Sequence, residues 1–152
     1  MKLKDFDFRI WDNIEKKYIK TPHGLYIENT EHNDASSYSR IIGNYEQRSF
    51  YIDYPFNDRN NEYYDNEECF EIELFTGLYD KKGKKVYEND IVKVKSLYDY
   101  FLAKISIHKE GTFYFEGKNG DYIGSLIYLV EDEGYTIETI GNIHENPELL
   151  KC

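Results

Sequence analysis

The sequence predicts a mainly β fold, with a β-rich α+β arrangement as its variant, and three observations lead there. Apolar and polar residues alternate in short runs, the period of a half-buried strand. Gly, Asn and Asp punctuate those runs at close spacing, as in sheets built from hairpins. The length of 152 residues suits about one domain. A small curled sheet or barrel of short antiparallel strands is therefore expected in the C-terminal half, closed by a short helical turn.

In order along the chain, Phe6, Phe8 and Ile10 alternate with Asp7, Arg9 and Trp11, which predicts a strand over 6–11. Asp12-Asn13 supplies turn chemistry and Tyr18-Ile19 begins a return strand. His23-Gly24 marks a further turn before Leu25-Tyr26-Ile27. Residues 28 to 49 admit two readings. Asp34 N-caps a helix carrying Tyr38, Ile41, Ile42 and Tyr45, or Gly43-Asn44 is a two-residue hairpin turn. Gly43 within a helix costs about 1 kcal/mol relative to Ala. Phe50 to Tyr54 is strand-like and Pro55 stops it. Residues 56–66, rich in Asn, Asp and Glu, read as a loop.

From Cys69 onward Phe70, Ile72 and Leu74 point one way and Glu71 and Glu73 the other, a strand with a polar face. Asp80-Lys81-Lys82-Gly83 fits a type I turn followed by Gly83 in the left-handed region, with residues 84–87 returning. Glu88-Asn89-Asp90 is a second tight turn, and Asn is the non-Gly residue that best tolerates positive φ. Val92 and Val94 alternate with Lys93 and Lys95. Ala103, Ile105 and Ile107 lead through a turn at 108–111 to Phe113 and Phe115. Residues 117–124 read as a glycine-punctuated loop, 127–130 and 136–140 as short strands, and Asn146-Pro147 as the start of one helical turn. Two regions follow, 1–68 and 69–152, or one compact domain.

Composition excludes several classes. With 19 basic and 29 acidic residues the net charge is −10, and a broad basic face for DNA is disfavoured. Aromatics at 17% argue against wholesale disorder. No run approaches the roughly 18 apolar residues of a membrane span, and Met1-Lys2-Leu3-Lys4-Asp5 leads into charge rather than a signal peptide. Cys69 and Cys152 form no framework or zinc spacing and are expected to be reduced thiols in a cytoplasmic protein. Residues 1–80 hold 9 basic and 17 acidic side chains, net −8, and residues 81–152 hold 10 and 12, net −2. The excess is densest over 53–73, where Asp53, Asp58, Glu62, Asp65, Glu67, Glu68, Glu71 and Glu73 face Arg59; a solvated loop followed by a polar strand face is the simplest account.

Catalytic motifs do not assemble. Gly117, Gly120 and Gly124 lack a following helix and read as a hairpin loop rather than a phosphate cradle. His144-Glu145 reads as turn residues rather than a base with its carboxylate. Asp5-x-Asp7 and Asp58-x-Asn60-x-Glu62 lack the Gly and closing Glu of a calcium loop, so no metal and no cofactor is expected. Lys81, Lys82, Lys84, Lys85, Lys93 and Lys95 form a basic cluster, which reads as a solubilising hairpin tip or as a nucleic-acid contact lined with aromatics.

Three segments carry a resemblance: Phe8-Arg9-Ile10-Trp11-Asp12, residues 75–92 (FTGLYDKKGKKVYENDIV) and residues 140–150 (IGNIHENPELL). In order and placement they resemble the YopX family of phage and prophage proteins. The resemblance covers the first dozen residues and most of the chain from about residue 70. It implies a mostly β fold and a phage or prophage origin, and it implies no activity. Asn89 stands where the family usually has Gly, a swap that a left-handed conformation absorbs.

The expected function is a non-catalytic, phage-encoded binding protein that acts in the bacterial cytoplasm on a host protein with a basic nucleic-acid-binding groove. Its contact surface would be the acidic, Tyr-rich stretch of Asp53, Tyr54, Asp58, Glu62, Tyr63, Tyr64, Asp65, Glu67 and Glu68, whose carboxylates imitate a phosphate array. Direct contact with nucleic acid or membrane is not expected, and a homo-oligomer is compatible with the sequence. The alternatives are a small-molecule binder sequestering a nucleotide signal, its phosphate met by Arg9, Lys81, Lys82, Lys84 or Lys85, and a structural or regulatory phage protein.

Overall fold

Alternation of side chains across a pleated strand is what organises this chain. In the computed structural model, which describes residues 2, 5–19, 24–30, 38–45, 48–54 and 70–151 (the three middle segments by backbone alone), the expected mainly β fold is found. The chain divides into two units, residues 1–8 with 73–152 and residues 9–72.

The larger unit is built on a five-stranded antiparallel sheet in the order β11-β10-β9-β8-β12. Its strands are β8 (Asp90–Lys95), β9 (Tyr100–Ile107), β10 (Phe113–Glu116), β11 (Tyr122–Ser125) and β12 (Thr136–Asn142). Val92, Val94, Ala103, Ile105, Phe115 and Ile137 are buried on one face and enclose Val86 and Leu126. Each buried Val, Ile, Leu or Phe side chain among these contributes roughly 1.5–3 kcal/mol by leaving water, so this face anchors the unit. By the period of two, Lys93 and Lys95 on β8 share the opposite face with their partners Leu102 and Tyr100 on β9 and Glu138 and Thr136 on β12. β7 (Lys85–Tyr87) pairs with β6 (Phe70–Tyr79) across an irregularity between Phe75 and Tyr79. Beside them, the Phe75 amide donates to the Asp7 carbonyl at 2.9 Å.

The smaller unit holds the hairpin of β1 (Phe8–Asp12) and β2 (Lys17–Ile19), paired Ile10 to Ile19 and Asp12 to Lys17. Asp12 Oδ1 accepts the Ile14 and Glu15 amides, the turn chemistry expected there. A three-stranded meander follows: β3 (Gly24–Thr30), β4 (Tyr38–Tyr45) and β5 (Arg48–Tyr54).

Four expectations are corrected. Residues 38–45 form a strand, not a helix, and Gly43-Asn44 is not its turn: Gly43 pairs with Leu25 and Phe50, while Tyr45 pairs with Arg48 at the strand end. Ladder bonds on both sides of a central strand outweigh the local preference of Gly-Asn. Residues 127–130 belong to a helical turn that runs on as a wide π turn over Tyr128–Asp132, closed by the Glu133 amide on the Tyr128 carbonyl at 3.1 Å. A short apolar run does not by itself distinguish strand from helix. Gly124 lies within β11 rather than in a loop, paired with Phe115. Glu73 lies not on a polar strand face but fully buried. The expected turns at 80–83 and 88–90 are present, with Gly83 at φ +82° and Asn89 at φ +70°. Asp34, the proposed helix cap, residues 56–66 and both cysteines lie outside the described residues.

The C-terminal segment is a knot of short polar bonds. Asn142 Oδ1 accepts the His144 and Glu145 amides, and Asn146 Oδ1 accepts the Asn142 amide at 3.3 Å. A 3-10 turn, Pro147–Leu150, follows Asn146 as expected, but the Asn146 side chain reaches back to Asn142 instead of capping that turn. Space for it exists because residue 141 is Gly: a Cβ there would lie 2.5 Å from Asn146 Oδ1. Gly141→Ala should therefore destabilise the protein by about 1–3 kcal/mol in urea denaturation. In the Asn146→Gly background, which removes the Cβ at 2.9 Å as well as the amide, the same change should cost clearly less, a coupling that a double-mutant cycle reads directly.

Candidate functional site

Two buried carboxylates fix the geometry of the larger unit. Asp80 is 6% exposed at the head of the β6–β7 turn. Its Oδ1 accepts the Lys82 and Lys84 amides, both at 2.9 Å, and its Oδ2 accepts the Thr139 amide at 3.1 Å. The Lys81 amide donates to the Ile137 carbonyl at 2.9 Å, so the turn is fastened along β12. Burial pushes the Asp80 carboxyl up, but the amides of Lys84, Thr139 and Lys82 outweigh it and hold it below its ordinary value.

Glu73 has no exposed surface, and its Oε2 receives Asn89 Nδ2 at 2.8 Å and meets His144 Nε2 at 2.7 Å. Asn89 is itself locked: its amide donates to the Ile105 carbonyl and its carbonyl accepts the Ile143 amide. A bare Gly would satisfy the backbone at this position but not the carboxylate. A third polar contact ties residue 7 to β7, where Asp7 Oδ2 takes Lys85 Nζ at 2.8 Å and the Tyr87 hydroxyl at 2.6 Å. Burial raises the Asp7 carboxyl, and those two donors together with the Phe8 amide more than reverse the effect.

The face opposite the core carries a different chemistry. Lys81, Lys93, Lys95 and Thr136 line a shallow hollow with Ile137 and Glu138. Glu138 takes Lys81 at 3.0 Å and Lys82 at 3.1 Å, and these two lysines hold its carboxyl below its ordinary value. Lys93 Nζ sits 4.3 Å from the centre of the Tyr100 ring. Further along this face His108 stacks on Tyr114 at 4.2 Å, and Tyr122 lies 5.3 Å from Tyr114. The Lys104–Glu116 pair at 2.8 Å stands on the same face.

Of the residues singled out in the sequence for phosphate, the structure brings Lys81 together with Lys93 and Lys95. Lys85 is taken up by Asp7, and Lys84 is an exposed turn residue. Arg9, in the smaller unit, lies over the Tyr18 ring at 4.5 Å. Of the acidic, Tyr-rich set, Asp53 and Tyr54 end β5, and Asp58, Glu62, Tyr63, Tyr64, Asp65, Glu67 and Glu68 lie outside the described residues. Glu73 and His144 escaped sequence reasoning as partners. They stand 71 positions apart, and Glu73 occupies the polar phase of an alternating run.

The YopX protein family model matches residues 7–151, nearly the whole chain. The chain belongs to the YopX family. Among solved structures it is similar to protein EF1440 from Enterococcus faecalis, with 26% identity over 96% of this chain and 98% of that one and a TM-score of 0.52. It shares the fold of protein yopX from Bacillus subtilis, with 21% identity over 95% and 97% of the two chains and a TM-score of 0.54. No curated protein matches it. In YopX terms the central and C-terminal motifs are the segments that meet at Glu73 and along β12, and the N-terminal motif directly follows Asp7. No described helix is long and apolar enough to cross a membrane.

Removing one partner so that a buried polar group is left unsatisfied typically costs about 1–3 kcal/mol. His144→Ala should lower the unfolding free energy by about 1–3 kcal/mol, whereas His108→Ala on the open face should change it by well under 1 kcal/mol. Both are read from urea midpoints. A second expectation concerns pH. The folded-state values of Asp80 and Asp7 lie below the unfolded ones, so their stabilisation is complete above the ordinary carboxylate range near 4 and is lost as pH falls through the folded values. Stability should drop between pH 5 and pH 2. In Asp80→Asn that acid limb should be shallower and the plateau near neutrality lower.

Proposed function

We propose that this YopX chain is a non-catalytic binding protein of phage origin that acts on a host protein with a basic nucleic-acid-binding groove. The contact surface is the acidic, Tyr-rich stretch over 53–68. The observation that carries this reading is the charge pattern of that stretch: Asp53, Asp58, Glu62, Asp65, Glu67 and Glu68 against Arg59, interleaved with Tyr54, Tyr63 and Tyr64. Carboxylates at near-regular spacing present a phosphate-like array, and Tyr supplies amphipathic contact area. It is further supported by the use of Asp12, Glu73, Asp80 and Asp90, buried carboxylates elsewhere in the chain that are occupied with holding turns and strands together. Electrostatic steering speeds such an encounter and makes it salt-sensitive.

The test is capture from host lysate on tagged protein, washed at low and then high salt. The expected result is a stoichiometric nucleic-acid-binding protein that elutes with salt. It should be lost when Asp58, Glu62, Asp65, Glu67 and Glu68 are all reversed to Lys, with the melting temperature retained. Capture unchanged by the reversal overturns the reading. The alternative, a binder for a nucleotide signal, is favoured by one observation, the lysine-lined hollow of the larger unit.

A further inference from the structure

The hollow on the open face of the sheet combines cations from two elements whose backbones are fixed independently. Lys93 and Lys95 come from β8, where the buried Val92 and Val94 force them outward together. Lys81 comes from the β6–β7 turn, held along β12 by the Ile137 carbonyl and by the bond from the Thr139 amide to Asp80. Glu138 lies among them and already takes Lys81 and Lys82, so three lysines line a hollow that contains one carboxylate. Like charges at such a spot repel one another, and a dianionic group entering the hollow relieves that repulsion. Thr136, exposed beside Lys95, adds a hydroxyl donor.

The hollow is shallow, so whatever the lysines hold extends onto the neighbouring surface. That surface is the Tyr100 ring, which is 55% exposed and presently covered on one side by the Lys93 ammonium. A lysine that swings from the ring to an incoming phosphate exposes the ring face, and a nucleobase stacks on such a face. The tip beside it, residues 96–99, holds Leu97 and Tyr98 almost wholly in solvent. We infer that the open face of the sheet binds a nucleotide, with Lys81, Lys93 and Lys95 on the phosphate and Tyr100 under the base. The inference deepens the nucleotide-binding alternative and is independent of the acidic stretch.

The shared chemistry is a phosphate ester bearing a base, from a free nucleotide or from a single strand, and the assay separates them. Heats of binding are measured for ATP, inorganic phosphate, adenosine and an oligothymidylate on the full-length protein. ATP should bind more tightly than phosphate or adenosine and raise the melting temperature as its concentration rises. Each lost charged hydrogen bond is worth about 1.5–3 kcal/mol, so Lys93→Gln and Lys95→Gln should each weaken ATP about tenfold or more. Lys109→Gln, on the exposed turn after β9, should leave binding unchanged. Tyr100→Ala should bring ATP down to the level of phosphate. Oligothymidylate binding more tightly than ATP through the same residues supports the site and assigns it to a strand. The inference is overturned by the absence of an ATP effect at millimolar concentration, by ATP binding that survives the lysine changes, or by ATP binding no better than phosphate in the unaltered protein. The charge-reversal variant of residues 58–68 should bind ATP normally, so this site and the acidic surface fail separately.

Discussion

A carboxylate with no access to water must be met by donors, and in this chain Glu73 imposes that demand on everything around it. A buried polar group left without its hydrogen bonds costs about 1–3 kcal/mol. Asn89 and His144 meet that demand from two directions. Asn89 reaches Glu73 from a residue in the left-handed conformation, and that turn joins β7 to β8. His144 reaches it because Asn142 and Asn146 hold the segment after β12 in a tight turn, which in turn needs Gly141. One buried carboxyl group thus accounts for why the last two recognisable segments of the family meet where they do.

Asp80 plays the matching part at the other end of β12. It satisfies three backbone amides at once, so the lysine-rich turn that follows it is a fixed feature rather than a loose tip. Glu73, Asp80 and Asp90 are buried and hold turns and strands, while Lys81, Lys93 and Lys95 gather on the open face. A protein of net charge −10 can in this way present a locally basic patch, because its acidic excess is concentrated in the first 80 residues and three lysines converge on one part of the sheet.

What the sequence made legible follows from how local each signal is. The 80–83 and 88–90 turns, the β8 and β9 alternations and the final helical turn depend on neighbours within a few positions, and all were readable. The β4 strand was not, because Gly43-Asn44 signals a turn locally while its pairing with Leu25 and Phe50 is decided elsewhere. Residues 127–130 failed for a different reason, since four apolar residues satisfy a strand and a helical turn equally well. Glu73 was hidden because nothing adjacent in sequence marks a charge for burial when its partners lie 16 and 71 positions away. The hollow was legible in part, because Lys81, Lys93 and Lys95 already belong to one basic cluster in the sequence, whereas the register that sets them beside Thr136 and Glu138 is decided by pairing with β12.

Asp7 bonds to Lys85 and Tyr87 across separations of 78 and 80 residues, and residues 1–8 belong to the same unit as 73–152. During synthesis, at roughly 5–20 residues per second, the opening segment therefore waits on the order of ten seconds for its partners to emerge. Residues 9–72 leave the ribosome within that interval as a complete unit. The Asp7 carbonyl and the Phe75 amide then close on each other within the larger unit. The larger unit is thus assembled from two stretches of chain, and its opening residues complete it only after residues 9–72 have been made.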